Sequence, residues 1–145
     1  MPDGSEHIIV QGLRRIKITE FVQESPYIKA KVDVIDDENP HDDLTIEALV
    51  NNCKNAFNRV VELSSTLTNE HRVQVFNTKE AGKVADVIGS CINITTENKQ
   101  DVIQTLGVKD RLEKVHLFLS KELQVLEIEN KIQKDVQGEL NKTQR

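Results

Sequence analysis

Aromatic side chains are almost missing from this sequence. It has no tryptophan, one tyrosine and four phenylalanines. An aromatic-rich sandwich core is therefore excluded, and the interior must be built from Val, Ile and Leu, which favours packed helices. Cysteine is as scarce, with only Cys53 and Cys91. One pair makes no disulfide framework and neither belongs to a C-x-x-C, so both read as reduced thiols on apolar stripes of a cytoplasmic protein. A basic excess is lacking too. The net charge of −5 argues against nucleic acid or an anionic membrane as the main partner, because phosphate binding needs a positive surface. No apolar run approaches the roughly 20 residues that cross a bilayer, and residues 1–6 are polar where a signal peptide would be apolar.

Catalytic motifs are lacking as well. There is no G-x-x-x-x-G-K-[ST] phosphate loop and no G-x-G-x-x-G after a strand. The pair Gly89-Ser90 falls inside a helical pattern and reads as a small packing surface, not as a nucleophile on a strand-to-helix elbow. His7, His41, His71 and His116 have no partner at metal-ligand spacing. The sequons at Asn93 and Asn141 are chance matches in a chain without a secretory signal. The residues thus offer no catalytic, cofactor-binding or metal-binding position, and the chain reads as no enzyme on its own.

What is present begins as β-structure. Residues 7–10 read as a short strand and residues 13–18 as a second, with Ile16 and Ile18 on one face. After the turn signal Ser25-Pro26, residues Ile28, Ala30, Val32 and Val34 alternate with Lys29, Lys31 and Asp33, the period-2 signature of a half-buried strand. Pro2-Asp3-Gly4 is turn chemistry with no strand ahead of it, so the sequence reads as cut inside a hairpin. Three short strands make a thin sheet whose edge and apolar face stay uncovered, and it is expected to be less stable than the helices.

From Asp42 the period changes to 3.6. Ile46, Leu49, Val50, Cys53, Phe57, Val60 and Val61 form one stripe, with Asp42 or Asp43 as N-cap. Ser64-Ser65 ends that helix. Thr68 opens a short one carrying Val73 and Phe76. A third carries Val84, Val87, Ile88 and Cys91. Thr95 or Thr96 caps a fourth carrying Val102, Ile103 and Leu106, and Gly107 is placed as its left-handed C-terminal residue. The last helix is the longest: Leu112, Val115, Leu119, Leu123 and Leu126 follow a three-four spacing, and Ile128, Ile132, Val136 and Leu140 continue it in a shifted phase. Asp110 stands four residues before Lys114 as a helix-surface ion pair. The acidic run from Asp36 to Glu47 contains no Lys or Arg and reads as a solvated linker.

The fold expected is α+β and mostly α: a small, partial antiparallel sheet in residues 1–38, an acidic linker in 39–45, a helical bundle in 46–126, and the distal half of a long helix in 127–145. No cap follows residues 141–145, so that end too reads as cut from something longer.

Several blocks carry a resemblance. Pro2-Asp3-Gly4 with Val10-Gln11-Gly12-Leu13-Arg14-Arg15, then Ser25-Pro26-Tyr27-Ile28-Lys29-Ala30-Lys31-Val32, resemble strands of the N-terminal domain of Lon-type ATP-dependent proteases. Ala85-Asp86-Val87-Ile88-Gly89-Ser90 and the run from Lys99-Gln100 through Leu112 are similar to its helical part, and Asn141-Lys142-Thr143-Gln144-Arg145 resembles the stretch before that family's ATPase module. The likeness covers nearly the whole chain in unbroken order. Gly107, where the family often has Asp, and Gly138, inside the long helix, depart from it.

The resemblance implies a non-catalytic substrate-recognition and assembly region of a cytoplasmic quality-control protease. The parent would use ATP and Mg to unfold proteins and a Ser-Lys dyad to cleave them, and none of those positions lies in this chain, which itself needs no cofactor. The partners implied are unfolded or damaged proteins and other protomers of a hexamer. Candidate substrate contacts are Leu13, Phe21, Val22 and Tyr27, taken as strand-end or turn residues. The candidate assembly stripe is Ile128, Ile132, Val136 and Leu140. The alternative is a spacer or oligomerisation element that touches no substrate.

Overall fold

A computed structural model of the chain describes residues 1–38 and 43–143. It divides into two units, Met1–Asp36 and Asp37–Arg145.

The first unit is a two-stranded antiparallel sheet of β1 (Arg15–Gln23) and β2 (Lys29–Ile35). The strand expected at residues 7–10 is not formed: Ile8, Ile9 and Val10 are exposed. No neighbouring strand among the described residues takes their backbone groups, and an unpaired strand leaves those groups to water. The second expected strand runs further than its alternation showed, from Arg15 through Gln23 instead of stopping at Ile18. Pro2-Asp3-Gly4 does form a turn: the Gly4 N–H donates to the Met1 carbonyl at 3.0 Å, with Gly4 at φ +82°.

The second unit is helical: α1 (Asp43–Leu63), α2 (Asn69–Asn77), α3 (Ala81–Cys91), α4 (Thr96–Gln104) and α5 (Val108–Thr143). The fold class is α+β, mostly α and ending in one long helix, as expected. Helix α1 already includes the last residues expected of the acidic linker. Asp43 is its first residue and so is not its N-cap, while the other candidate, Asp42, and His41 lie outside the described residues. The core is aliphatic apart from Phe57 and Cys53, as the scarcity of aromatics required. Cys53, Phe57, Val60 and Val61 of α1, Val84, Ala85 and Ile88 of α3, Val102 of α4, and Val108, Leu112, Val115 and Leu119 of α5 close on one another. Gly89 lets α3 approach α4, since a Cβ there would meet Val102 Cγ1 at 3.3 Å. The Thr95 hydroxyl accepts from the Asn98 N–H at 3.1 Å and caps α4.

Four expectations are corrected within this unit. Helix α2 turns Val75 inward, while Val73 and Phe76 are exposed and the Lys54 ammonium lies over the Phe76 ring. Ile103 of α4 is half exposed, and only Val102 is buried there. Gly107 is not in the left-handed region. It precedes α5, where its carbonyl accepts the first helical bond from Arg111 N–H at 2.9 Å, and α4 is closed by Thr105 instead. Lys114 pairs with Asp101 of α4 at 3.0 Å and with the Thr105 hydroxyl at 2.9 Å, tying two helices together in place of the intrahelical pair with Asp110.

The largest departure is Arg111. It is fully buried, and a buried guanidinium must be paired and hydrogen-bonded to be tolerated. Its Nη2 donates to Asp37 Oδ1 at 2.7 Å and its Nη1 to Asp37 Oδ2 at 3.2 Å, a two-pronged fork. Asp86 of α3 approaches Nη1 at 3.5 Å, and Nε donates to the Thr105 carbonyl at 2.8 Å. Asp37, read as part of a solvated acidic run, is thus the counter-charge of a core arginine. Glu38 continues the attachment: its N–H donates to Leu106 O, and the Val108 N–H donates to Glu38 O, each at 3.1 Å.

Two glycines of this unit should respond in opposite ways. A Cβ at Gly82 would collide with the Asp37 carboxylate, so Gly82→Ala is expected to cost about 1–3 kcal/mol by urea unfolding. A Cβ at Gly138 meets nothing within 4 Å, so Gly138→Ala should favour helix there by about 1 kcal/mol and deepen the 222 nm circular dichroism band.

The thiols differ as well. The Cys53 thiol lies 3.4 Å from the Leu112 carbonyl, and burial pushes its pKa up to about 12 from a usual value of 9.0. A raised acid pKa means that the folded chain holds this proton longer than the unfolded chain. Its contribution is present at neutral pH and is lost as pH climbs from about 9 towards 12. A thiol reagent at pH 8 is expected to label half-buried Cys91 first and Cys53 only at the rate of unfolding. Equal rates for the two would contradict the burial.

Candidate functional site

The site candidate is the hairpin of the first unit, where apolar side chains stay in water. Its register starts at Arg15↔Ile35, Ile16↔Val34, Lys17↔Asp33 and Ile18↔Val32, then shifts so that Glu20 faces Lys31 and Phe21 faces Ala30. Thr19 is therefore an extra residue on β1, a bulge, with its hydroxyl donating to the Lys31 carbonyl at 3.1 Å. The consequence is a change of face. Without the bulge, strict alternation would send Phe21 to the side of Lys17. With it, Phe21 joins Ile16, Ile18, Ala30, Val32 and Val34 on one apolar face. The larger five are 43% to 60% exposed. The opposite face carries Lys17 and Asp33, and Glu20 with Lys31, an exposed pair at 3.4 Å.

A second register shift between Phe21 and Gln23 leaves Val22 as the next extra residue, half exposed. The turn that follows carries a cis Ser25-Pro26 bond. It is held by the Gln23 amide, which donates to the Tyr27 carbonyl at 2.9 Å. The Lys29 ammonium sits 5.4 Å from the Tyr27 ring centroid. Phe21, Glu24 and Ile28 line an open concavity beside this turn.

Three of the four contact candidates, Phe21, Val22 and Tyr27, therefore lie at the turn end of the hairpin. Phe21 and Val22 are among the last three residues of β1. Leu13 is exposed but precedes β1 at the opposite end, where roughly 20 Å of strand separates Arg15 from Phe21. The apolar residues not singled out beforehand are Ile28 at the turn and the face formed by Ile16, Ile18, Val32 and Val34. Their alternation was visible in sequence, and so was the expectation that the sheet's apolar face stays uncovered; that Phe21 joins that face was not.

The assembly candidates lie in the second unit. Leu119 is the last buried residue of α5, and Leu123 and Leu126 still pack on the core. Beyond them Ile128, Ile132, Val136 and Leu140 are 51% to 60% exposed.

No group of His, Cys, Asp or Glu that could hold a metal occurs among the described residues, and both cysteines belong to the helical unit. In the first unit the Asp3 carboxyl is held below the usual range by the Ser5 hydroxyl and backbone N–H, which is turn chemistry. No helix among the described residues is long and apolar enough to cross a membrane.

Comparison with known proteins places this arrangement in context. The family described as the ATP-dependent protease La (LON) substrate-binding domain matches residues 1–121. The chain is 39% identical over 144 residues to a Lon protease of Dictyoglomus thermophilum, covering 99% of this chain and 18% of that protein. It is 40% identical over 138 residues to a Lon protease of Syntrophus aciditrophicus, covering 95% of this chain and 18% of that protein. It is 35% identical over 145 residues to Lon protease 2 of Myxococcus xanthus, again 18% of that protein. The chain thus spans under a fifth of the length of these relatives.

Proposed function

The chain belongs to the LON substrate-binding domain family, and from that premise we propose that its hairpin is a surface for unfolded or damaged protein substrates of an ATP-dependent protease. The observation that carries this reading is the apolar face of Ile16, Ile18, Phe21, Ala30, Val32 and Val34, flanked at the turn by Val22, Tyr27 and Ile28 and left in water. Exposed apolar patches on a soluble unit mark interaction sites. An unfolded chain presents scattered apolar side chains to which such a face can adapt, and its backbone can remain solvated.

In this reading the chain grips, and cutting happens elsewhere. ATP and Mg, a Ser-Lys dyad, a hexameric ring and a cytoplasmic quality-control role belong to the proposed parent, by family likeness. Charge agrees with a protein partner, since a net −5 disfavours nucleic acid and anionic lipid.

The test is fluorescence anisotropy of a labelled, permanently unfolded protein titrated with this chain, with its folded form as control. Saturable binding of the unfolded form alone is expected. Phe21→Ser with Tyr27→Ser should weaken it several-fold. Both side chains are more than half exposed, so stability should stay within about 0.5 kcal/mol. No binding up to high micromolar concentration overturns the reading, and a lowered melting point in the double variant would assign these residues to packing.

A second reading rests on the distal half of α5. Its exposed residues Ile128, Ile132, Val136 and Leu140 recur every four residues and could join protomers. Sedimentation equilibrium should then show concentration-dependent self-association that Ile132→Lys with Val136→Lys abolishes. A monomer at every concentration rejects the assembly role.

A further inference from the structure

Three carboxylates lie between Arg15 and Ile35: Glu20, Glu24 and Asp33. Glu20 is 3.4 Å from Lys31, and Asp33 faces Lys17 in the register. Glu24 stands apart from these two. Among the described residues no ion pair or hydrogen bond engages its carboxylate. It lines the open concavity beside the turn, together with Phe21 and Ile28. One unpaired acid thus sits where the apolar face reaches its turn end.

We propose that this concavity takes an arginine side chain of an unfolded substrate segment, with its methylene stem on Ile28 and its guanidinium against the Phe21 ring and the Glu24 carboxylate. The proposal rests on the reading of the hairpin as a substrate surface. It narrows that reading to segments in which an arginine adjoins apolar residues.

Charge complementarity carries the assignment, and each wall answers one part of the side chain. The Glu24 carboxylate is exposed and can accept the two-pronged fork of a guanidinium, a geometry that an ammonium does not match. Phe21 is 60% exposed, which leaves its ring open to a cation. Ile28 is 69% exposed and gives the stem aliphatic surface to lie on. The volume of about 310 Å³ is at the small end of ligand pockets, which run from roughly 300 to 1,000 Å³, and suits one long side chain. Lys29, the cation of the turn, sits 5.4 Å from the Tyr27 ring centroid and leaves Glu24 unpaired. The net charge of −5 also favours an incoming cation. Because Glu24 is in water, its attraction is modest. The apolar face supplies most of the binding, and the concavity adds a bias.

The test is anisotropy of short labelled peptides of Leu, Val and Ser, titrated with the full chain. The peptides differ only at one central residue: arginine, its neutral isostere citrulline, or glutamate. Arginine should bind tighter than citrulline by about two- to five-fold, the range of an exposed ion pair, and glutamate should bind most weakly. Added salt should shrink the difference. Glu24→Gln should remove the arginine preference and leave the citrulline affinity unchanged, and Glu24→Lys should favour the glutamate peptide. Equal binding of the arginine and citrulline peptides by the parent chain overturns the arginine site and leaves the apolar surface standing. A preference that survives Glu24→Gln also overturns it, because another group would then supply the charge. Absence of binding by all three peptides overturns the surface and the arginine site together.

Discussion

A guanidinium sealed from water sets the terms for the helical unit. Arg111 is among the largest fully buried side chains there, and leaving any of its donors bare in that interior would cost several kcal/mol. The surroundings are arranged around that demand. The loop after α4 turns the Thr105 and Leu106 carbonyls towards it, α3 brings Gly82 and Asp86, and Asp37 closes the fork. Gly82 has no side chain to spare because the Asp37 carboxylate occupies the space of a Cβ. The start of α5, the end of α4, the first turn of α3 and residues 37–38 are therefore solved together.

A buried ion pair of this kind is not by itself a source of stability, because desolvation offsets the attraction. An apolar side chain of like volume would pack in the same place without desolvating a charge. The stabilising work falls to the largely aliphatic cluster of α1, α3, α4 and α5, whose members are all buried. The hairpin follows another rule. Among its described residues the least exposed, Arg15, Gln23, Ala30 and Ile35, are only half buried, and its apolar residues do not close into a core. One unit spends its aliphatic side chains on folding; the other leaves them available.

How much of this could be read from the sequence depends on whether the signal was local. Helix periodicity is local, so the stripe of α1 and the positions Leu112, Val115 and Leu119 of α5 were legible, though buried Val108 and Arg111 were not, and the cap of α4 was narrowed to Thr95 or Thr96. Helix α2 was not: in nine residues Val73, Val75 and Phe76 offer competing faces, and only packing against α1 and α3 selects Val75. The role of Asp37 was invisible because its partner lies 74 positions away. A run of carboxylates looks solvated until a buried cation is known to need one. The face of Phe21 was not readable for a third reason. One unpaired residue, Thr19, inverts the alternation after it, and no composition rule marks where a strand will bulge. The candidate site was thus half legible: its residue types were visible, their common face was not.

The bulge matters to the proposed role because of what a two-stranded sheet can bear. Such a sheet is marginal in water, and burying Phe21 would ordinarily be the way to strengthen it. The Thr19 bulge instead brings Phe21 to the face that already holds Ile16, Ile18, Val32 and Val34, concentrating apolar area on one side. A ligand that covers that side supplies the burial that the hairpin lacks, and binding then stabilises the hairpin by mass action. Such a site gains affinity from area and asks little of its partner's sequence. Tolerance of that kind is what a surface for unfolded protein requires, and a well-packed hairpin could not provide it.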